Sequence, residues 1–159
     1  MIFKHTQTSR AELSGTKLRS LAFALLTRKE YSKSELIEKL KLYAVDENEV
    51  IQLVDELSDQ HYQSDQRVAE LVLSSQLRKG KGPNRIKQAL KNKELDTALI
   101  NDEIQDIDWL EQAYQLKVKK FGTDIETDAK LKAKQIRFLQ YRGFDMDIIM
   151  KAIHRIEEE

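Results

Sequence analysis

Three stretches of the chain carry the same arrangement of apolar and polar positions. They are "LIEKLKLYAVDENEVIQLVDEL" from Leu36, "IKQALKNKELDTALINDEI" from Ile86 and "IRFLQYRGFDMDIIMKAI" from Ile136. Laid over one another at an interval of about fifty residues, Leu36, Leu40, Val50, Val54 and Leu57 fall on Ile86, Leu90, Ile100, Ile104 and Ile107. In the third copy the apolar set continues as Leu139, Ile149, Ile153 and Ile156. The spacing of three and four residues is that of a helix with one buried face, and no segment alternates with period two for long enough to predict a strand. An aspartate recurs in each copy, as Asp46, Asp96 and Asp145, just before an apolar helical pattern. There it predicts an N-cap that accepts a hydrogen bond from an unpaired backbone N–H. Apolar pairs bracket each cap, Val45 with Val50, Leu95 with Ile100 and Phe144 with Ile149, as expected of a hydrophobic staple. Glu49 adds the N3 carboxylate of a capping box in the first copy, and Ser32 with Glu35 predicts a second box.

These signals predict an all-α fold of three tandem three-helix repeats. The predicted helices are 18–28, 34–42 and 47–58; 65–78, 84–91 and 97–107; and 108–121, 128–141 and 146–158. Gly80, Gly82 and Pro83 break the middle repeat, with Pro83 in a first helical turn, where its missing N–H costs nothing. Gly122 and Gly143 stop helices in the third. The repeats are expected at residues 18–64, 65–107 and 108–159, after an N-terminal tail over 1–17 expected to be mobile. Three short helices bury little surface alone, so stacked repeats should form an elongated array that can curve, a shape suited to lying along another polymer.

Composition narrows the class. The chain has 159 residues, 40% hydrophobic and 34% charged, with one proline and five glycines, a helix-rich balance. Without cysteine there is no disulfide or thiolate chemistry. No apolar run approaches the roughly 20 residues that span a bilayer, and the N-terminus lacks a secretory apolar core, so a cytoplasmic protein without membrane contact is expected. His5, His61 and His154 lack ligand spacing, "GKGPNR" lacks the phosphate-loop pattern, and no nucleophile motif is present. No catalytic residue, metal site or cofactor is expected, and the protein is not read as an enzyme. Trp109, with Ala113 and Leu116, should pack along one helical face, and Tyr141 and Phe144 should pack within and between repeats.

Charge changes the picture locally. Twenty-seven basic residues balance 27 acidic ones, yet "LRKGKGPNRIKQALKNK", residues 77–93, holds seven Lys or Arg and no Asp or Glu. A second acid-free block contributes Lys130, Lys132, Lys134, Arg137 and Arg142, with Lys117, Lys119 and Lys120 upstream. Acid collects in "VDENEV", "NDEIQDID" and the terminal "EEE". Each run alone would be a solvated face; two at equivalent places in neighbouring repeats leave a solvated face and a shared face for phosphate or acidic protein equally open.

The motifs resemble those of the RecX family of bacterial recombination regulators. "SDQRVAELVLSSQLRKGKGPNRIKQALKNKEL" is similar to the family's second repeat with its "KGxGPxRI" loop. "KQIRFLQYRGFDMDII" is similar to the third with its "FLxxRGF", and "YSKSELIEKLKLYAVDENEV" resembles the first. Val68 stands where the family usually has Phe, and Lys93 or Glu94 stands where it usually has Gly. The resemblance implies a modulator, usually an inhibitor, of the RecA recombinase in DNA repair and recombination. Such a protein would lie in the groove of the RecA filament on single-stranded DNA and limit filament growth, ATP hydrolysis and strand exchange. Its contact with DNA alone would be weaker, and it would act as a monomer. The expected contact residues are Arg78, Lys79, Lys81, Arg85, Lys87, Lys91, Lys134, Arg137 and Arg142. Two other readings fit small tri-helical units: a helix-turn-helix DNA-binding protein, with base-reading residues in "NRIKQ", and a protein-interaction scaffold indifferent to Lys87 and Lys91.

Overall fold

The computed structural model describes residues 12–157, and among these the regular structure is all helical. The helices are α1 (Gly15–Arg28), α2 (Lys33–Lys41), α3 (Glu47–Asp59), α4 (Asp65–Arg78) and α5 (Pro83–Asn92). A 3-10 turn over Thr97–Ile100 follows, then α6 (Asn101–Asp106), α7 (Trp109–Phe121), α8 (Ala129–Tyr141) and α9 (Met146–Ile153). The helix expected over 97–107 is thus a 3-10 turn joined to a short α-helix. The last helix stops at Ile153 rather than Glu158, so Ile156 lies outside it and is exposed. Helix α1 begins at Gly15, inside the segment expected as a tail. Residues 1–11 of that segment, with His5, lie outside the described residues, as do Glu158 and Glu159.

The described residues form two compact units, one reaching to Ala69 and including Lys93–Leu99, the other holding Glu70–Asn92 and everything from Ile100. The division falls within the middle repeat and within α4. In the first unit Leu18, Ala22 and Leu25 of α1 join Leu36 and Leu40 of α2 and Val50, Leu53, Val54 and Leu57 of α3 in one core. The capping box at α2 is closed: Ser32 Oγ accepts from Glu35 N–H at 3.1 Å and Glu35 Oε1 from Ser32 N–H at 3.0 Å. Ser32 Oγ also donates to Lys93 O at 2.9 Å, which ties 93–99 to this unit. Burial alone would raise the Glu35 carboxyl, but the Ser32 N–H and the Lys93 charge outweigh it and hold the group below its usual range.

The first Asp cap departs from expectation. Asp46 accepts from Asn48 N–H at 3.0 Å, but Glu49 does not complete a box, because its carboxylate takes the N–H of Gly15. Val45 is 64% exposed and closes no staple. Its N–H donates instead to Leu13 O at 3.0 Å, while Leu13 N–H donates to Tyr43 O, and Leu13 packs on the core in its place. Asp96 caps the 3-10 turn through Ala98 N–H at 2.9 Å, with Leu95 and Ile100 both buried.

The second unit centres on Ala113 and Tyr114 of α7, Leu139 of α8, Phe144, and Ile149, Ala152 and Ile153 of α9. Trp109 packs edge-on to Phe144 at 6.3 Å, and its indole N–H donates to Ile104 O at 3.0 Å. The loop before α5 and the turn before α9 are joined main chain to main chain. Gly82 N–H donates to Arg142 O at 2.7 Å and Asn84 N–H to Gly143 O at 3.0 Å. A Cβ on Gly82 would sit 2.7 Å from the Gly143 carbonyl group, and one on Gly143 would sit 2.4 Å from Arg85 Cγ. Gly143 also holds φ +99°, a conformation that L side chains rarely adopt. Asp145 occupies the N-cap position of α9 without capping it, because its Oδ1 accepts from Asn84 Nδ2 at 2.8 Å across the same junction.

Gly143→Ala adds a clash with main chain to an unfavourable φ and should cost about 2–4 kcal/mol. Urea unfolding followed by circular dichroism reads this directly. A midpoint equal to that of the parent chain would rule out the close approach.

Candidate functional site

This main-chain clasp between the loop before α5 and the turn before α9 places the end of α4 and the Lys79–Lys81 loop beside the exposed sides of α7 and α8. Arg142, next to Gly143, fixes the loop from below: its Nη1 donates to Lys79 O at 2.9 Å, and its guanidinium lies 4.8 Å from the Phe138 ring centre. Two adjoining grooves open here. One, of about 510 Å³, is lined by Arg78, Lys79 and Gly80 opposite Gln112, Gln115, Lys119 and Lys120. The other, of about 330 Å³, is lined by Lys81, Lys134, Arg137 and Tyr141. Lys120, Phe138 and Arg142 belong to both, and no Asp or Glu lines either.

Of the nine expected contact residues, Arg78, Lys79, Lys81, Lys134, Arg137 and Arg142 line these grooves. Arg85 adjoins them, with its guanidinium 4.7 Å from the Tyr141 ring centre. Lys87 and Lys91 are exposed on α5 but line neither groove. Among the described residues no carboxylate stands within ion-pairing distance of any of the nine; the ion pairs engage Arg19, Lys33, Lys41, Arg67, Lys93 and Arg155 instead. Unpaired cations facing an acid-free groove leave a positive potential that an anionic polymer can satisfy.

Two features differ from the sequence reading. Tyr141 does not pack: it is 72% exposed and carries Arg85 and Lys81 around its ring. Lys117 is no part of the basic face. It is fully buried, and its Nζ donates to Asp124 O at 2.9 Å, holding the chain that follows α7. Phe138 is the aromatic the sequence reading passed over; Lys120 and Arg142 both lie under 5 Å from its ring centre. Its cue was the placing of Phe138 and Tyr141 three apart among Lys134, Arg137 and Arg142.

Comparison with known proteins gives this arrangement a family. The model of the second three-helix domain of RecX matches residues 64–103, and that of the third matches 106–153. Regulatory protein RecX of Acinetobacter baylyi is 99% identical over 159 residues, covering 100% of both chains. This chain belongs to the RecX family. Regulatory protein RecX of Legionella pneumophila is 39% identical over 144 residues, 89% of this chain and 96% of that one. The crystal structure of RecX from Lactobacillus salivarius superposes with a TM-score of 0.71 at 22% identity, over 87% of this chain and 93% of that one. At that identity what is shared is the fold, an all-helical one of three-helix repeats.

The RecX motifs coincide with the clasp: "KGxGP" supplies Gly82 and "RGF" supplies Arg142 and Gly143. Where RecX proteins usually have Gly near position 94, Glu94 takes φ +55° itself, and its carboxylate accepts from Ser34 Oγ. Val68 is buried, so the smaller side chain still serves the interior. Among the described residues no helix is long and apolar enough to cross a membrane, and no cluster of three or more His, Asp or Glu could hold a metal ion.

Arg142→Ala should speed amide exchange at Lys79 and Lys81 while leaving the α1–α3 core unchanged; equal exchange rates in both proteins would remove Arg142 from the loop's support. Burial pushes the Lys117 ammonium below the ordinary lysine value, against a smaller opposing pull from the Asp124 charge. The unfolded chain therefore binds this proton more tightly than the folded one, and stability from this group rises with pH toward the ordinary value near 10.4. Lys117→Met should gain most below that window and lose its advantage within it, as urea midpoints at a series of pH values would show.

Proposed function

We propose that the protein regulates a RecA-type recombinase by lodging on its nucleoprotein filament, with the acid-free grooves between the Arg78–Lys81 loop, α7 and α8 as the contact. The observation that carries this reading is the set of cations Arg78, Lys79, Lys81, Lys134 and Arg137, without an ion pair among the described residues, gathered from two sequence blocks onto one face. A filament on single-stranded DNA offers both phosphate and acidic protein surface, and either would satisfy such a face. Membership of the RecX family supports regulation over catalysis. On this reading the protein inhibits filament growth, ATP hydrolysis and strand exchange, and does so as a cytoplasmic monomer. A neutral total charge suits this role, because bulk attraction would coat naked DNA indiscriminately.

The helix-turn-helix reading is weaker. The side chains that would read base edges on α5 are occupied within the protein: Asn84 Nδ2 by Asp145, Gln88 Nε2 by Asn92 Oδ1 at 2.9 Å, and Arg85 by the Tyr141 ring. A reading helix needs these groups free to meet the major groove. The scaffold reading draws its support from Lys87 and Lys91, which line neither groove.

The test is ATP hydrolysis by RecA on single-stranded DNA as the protein is added, beside a variant carrying Arg78→Glu, Lys79→Glu and Lys81→Glu. Suppression well below one protein per recombinase subunit is expected, with most of it lost in the variant. Full suppression by the variant would move the contact elsewhere. Absence of suppression at several-fold excess of the parent chain would reject the filament as partner.

A further inference from the structure

The filament reading uses the cations of this face and leaves its aromatic ring unexplained. Tyr141 ends α8 with 72% of its surface exposed, the most exposed aromatic side chain among the large apolar residues described. It lines the smaller groove with Lys81, Lys134 and Arg137, and Arg85 and Lys81 stand 4.7 and 6.0 Å from its ring centre. A row of unpaired cations satisfies an acidic protein surface or a duplex backbone without an exposed ring. A ring framed by cations suits a different ligand, one with flat π faces strung on a phosphate chain. Unpaired nucleotides are that ligand; a duplex keeps its base faces inside the stack.

We infer that Tyr141 is a base-stacking platform, and that the groove beside it binds single-stranded nucleic acid without any recombinase present. In this assignment the base lies on the Tyr141 ring, Lys81, Lys134 and Arg137 take the neighbouring phosphates, and Arg85 braces the ring. Stacking is indifferent to base identity and needs the ring but not its hydroxyl. The inference is independent of the filament reading, since it concerns the free chain.

The rival role for Tyr141 is to hold Arg85 in place, which would affect any polyanion alike. Abasic strands separate the two. The full chain and its Tyr141→Ala and Tyr141→Phe variants are titrated into fluorescein-labelled oligodeoxythymidylate, oligouridylate, an abasic strand of equal length and a duplex, and anisotropy is followed at low salt. Tyr141→Ala should weaken binding to at least one of the base-bearing strands about 5- to 100-fold, the range for loss of one stacked base. It should leave the abasic strand and the duplex within about twofold, and Tyr141→Phe should bind as the parent does. The base-bearing strand bound more tightly by the parent chain identifies the source, DNA or RNA. Equal losses on abasic and base-bearing strands would make Tyr141 a brace for Arg85 and overturn the platform. Unchanged binding by Tyr141→Ala, or no binding of either base-bearing strand by the parent, would overturn it as well. Because Tyr141 is exposed, matching unfolding midpoints in all three proteins are expected and exclude misfolding as the cause.

Discussion

Two glycines in main-chain contact set the geometry on which the basic face rests. Gly82 and Gly143 allow the loop before α5 and the turn before α9 to approach until their backbones share hydrogen bonds, with no room for a Cβ on either side. Each such bond contributes modestly on its own, on the order of 1 kcal/mol. Their importance is geometric. They bring residues about sixty positions apart in sequence onto one surface, and Asn84 with Asp145 and Arg142 with Lys79 extend the junction to either side. The cost appears at Asp145, whose carboxylate serves Asn84 and leaves α9 without a side-chain cap.

Charge on this surface separates into two kinds. Arg85 and Arg142 are held by aromatic rings and a carbonyl, so they brace the frame, whereas Arg78, Lys79, Lys134 and Arg137 are exposed and, among the described residues, form no ion pair. A guanidinium suits the first task because its plane lies on a ring while its N–H groups still donate sideways. Lys117 marks the limit of reading charge from sequence. It stands in the same run as Lys119 and Lys120, but the helical turn points it inward, where a single carbonyl receives it.

Much of the fold was legible in the apolar spacing, because a helix must repeat its buried face every three or four residues. The ends of α4, α7 and α8 and the Ser32 box followed from local signals of that kind. Failures came where a distant segment intervened. Val45 lost its staple and Glu49 its box to Leu13 and Gly15, and no local pattern announces such a visitor. The candidate basic face was legible as charge, since both basic blocks lacked acid, but not as shape. Sequence alone gave Tyr141 the ordinary fate of an aromatic, burial, while the structure leaves it among cations at a groove's edge. Glu94 shows that a family glycine can be replaced without changing the backbone it served, its left-handed conformation kept at some strain.

Because the clasp is built from main-chain atoms, the outward side chains of its loop take no part in holding it. Shape and charge on this face are therefore separate variables. Arg78 and Lys79 can drift, be exchanged or reverse sign over evolutionary time while the scaffold beneath them stays fixed. One frame can in this way carry surfaces of differing charge.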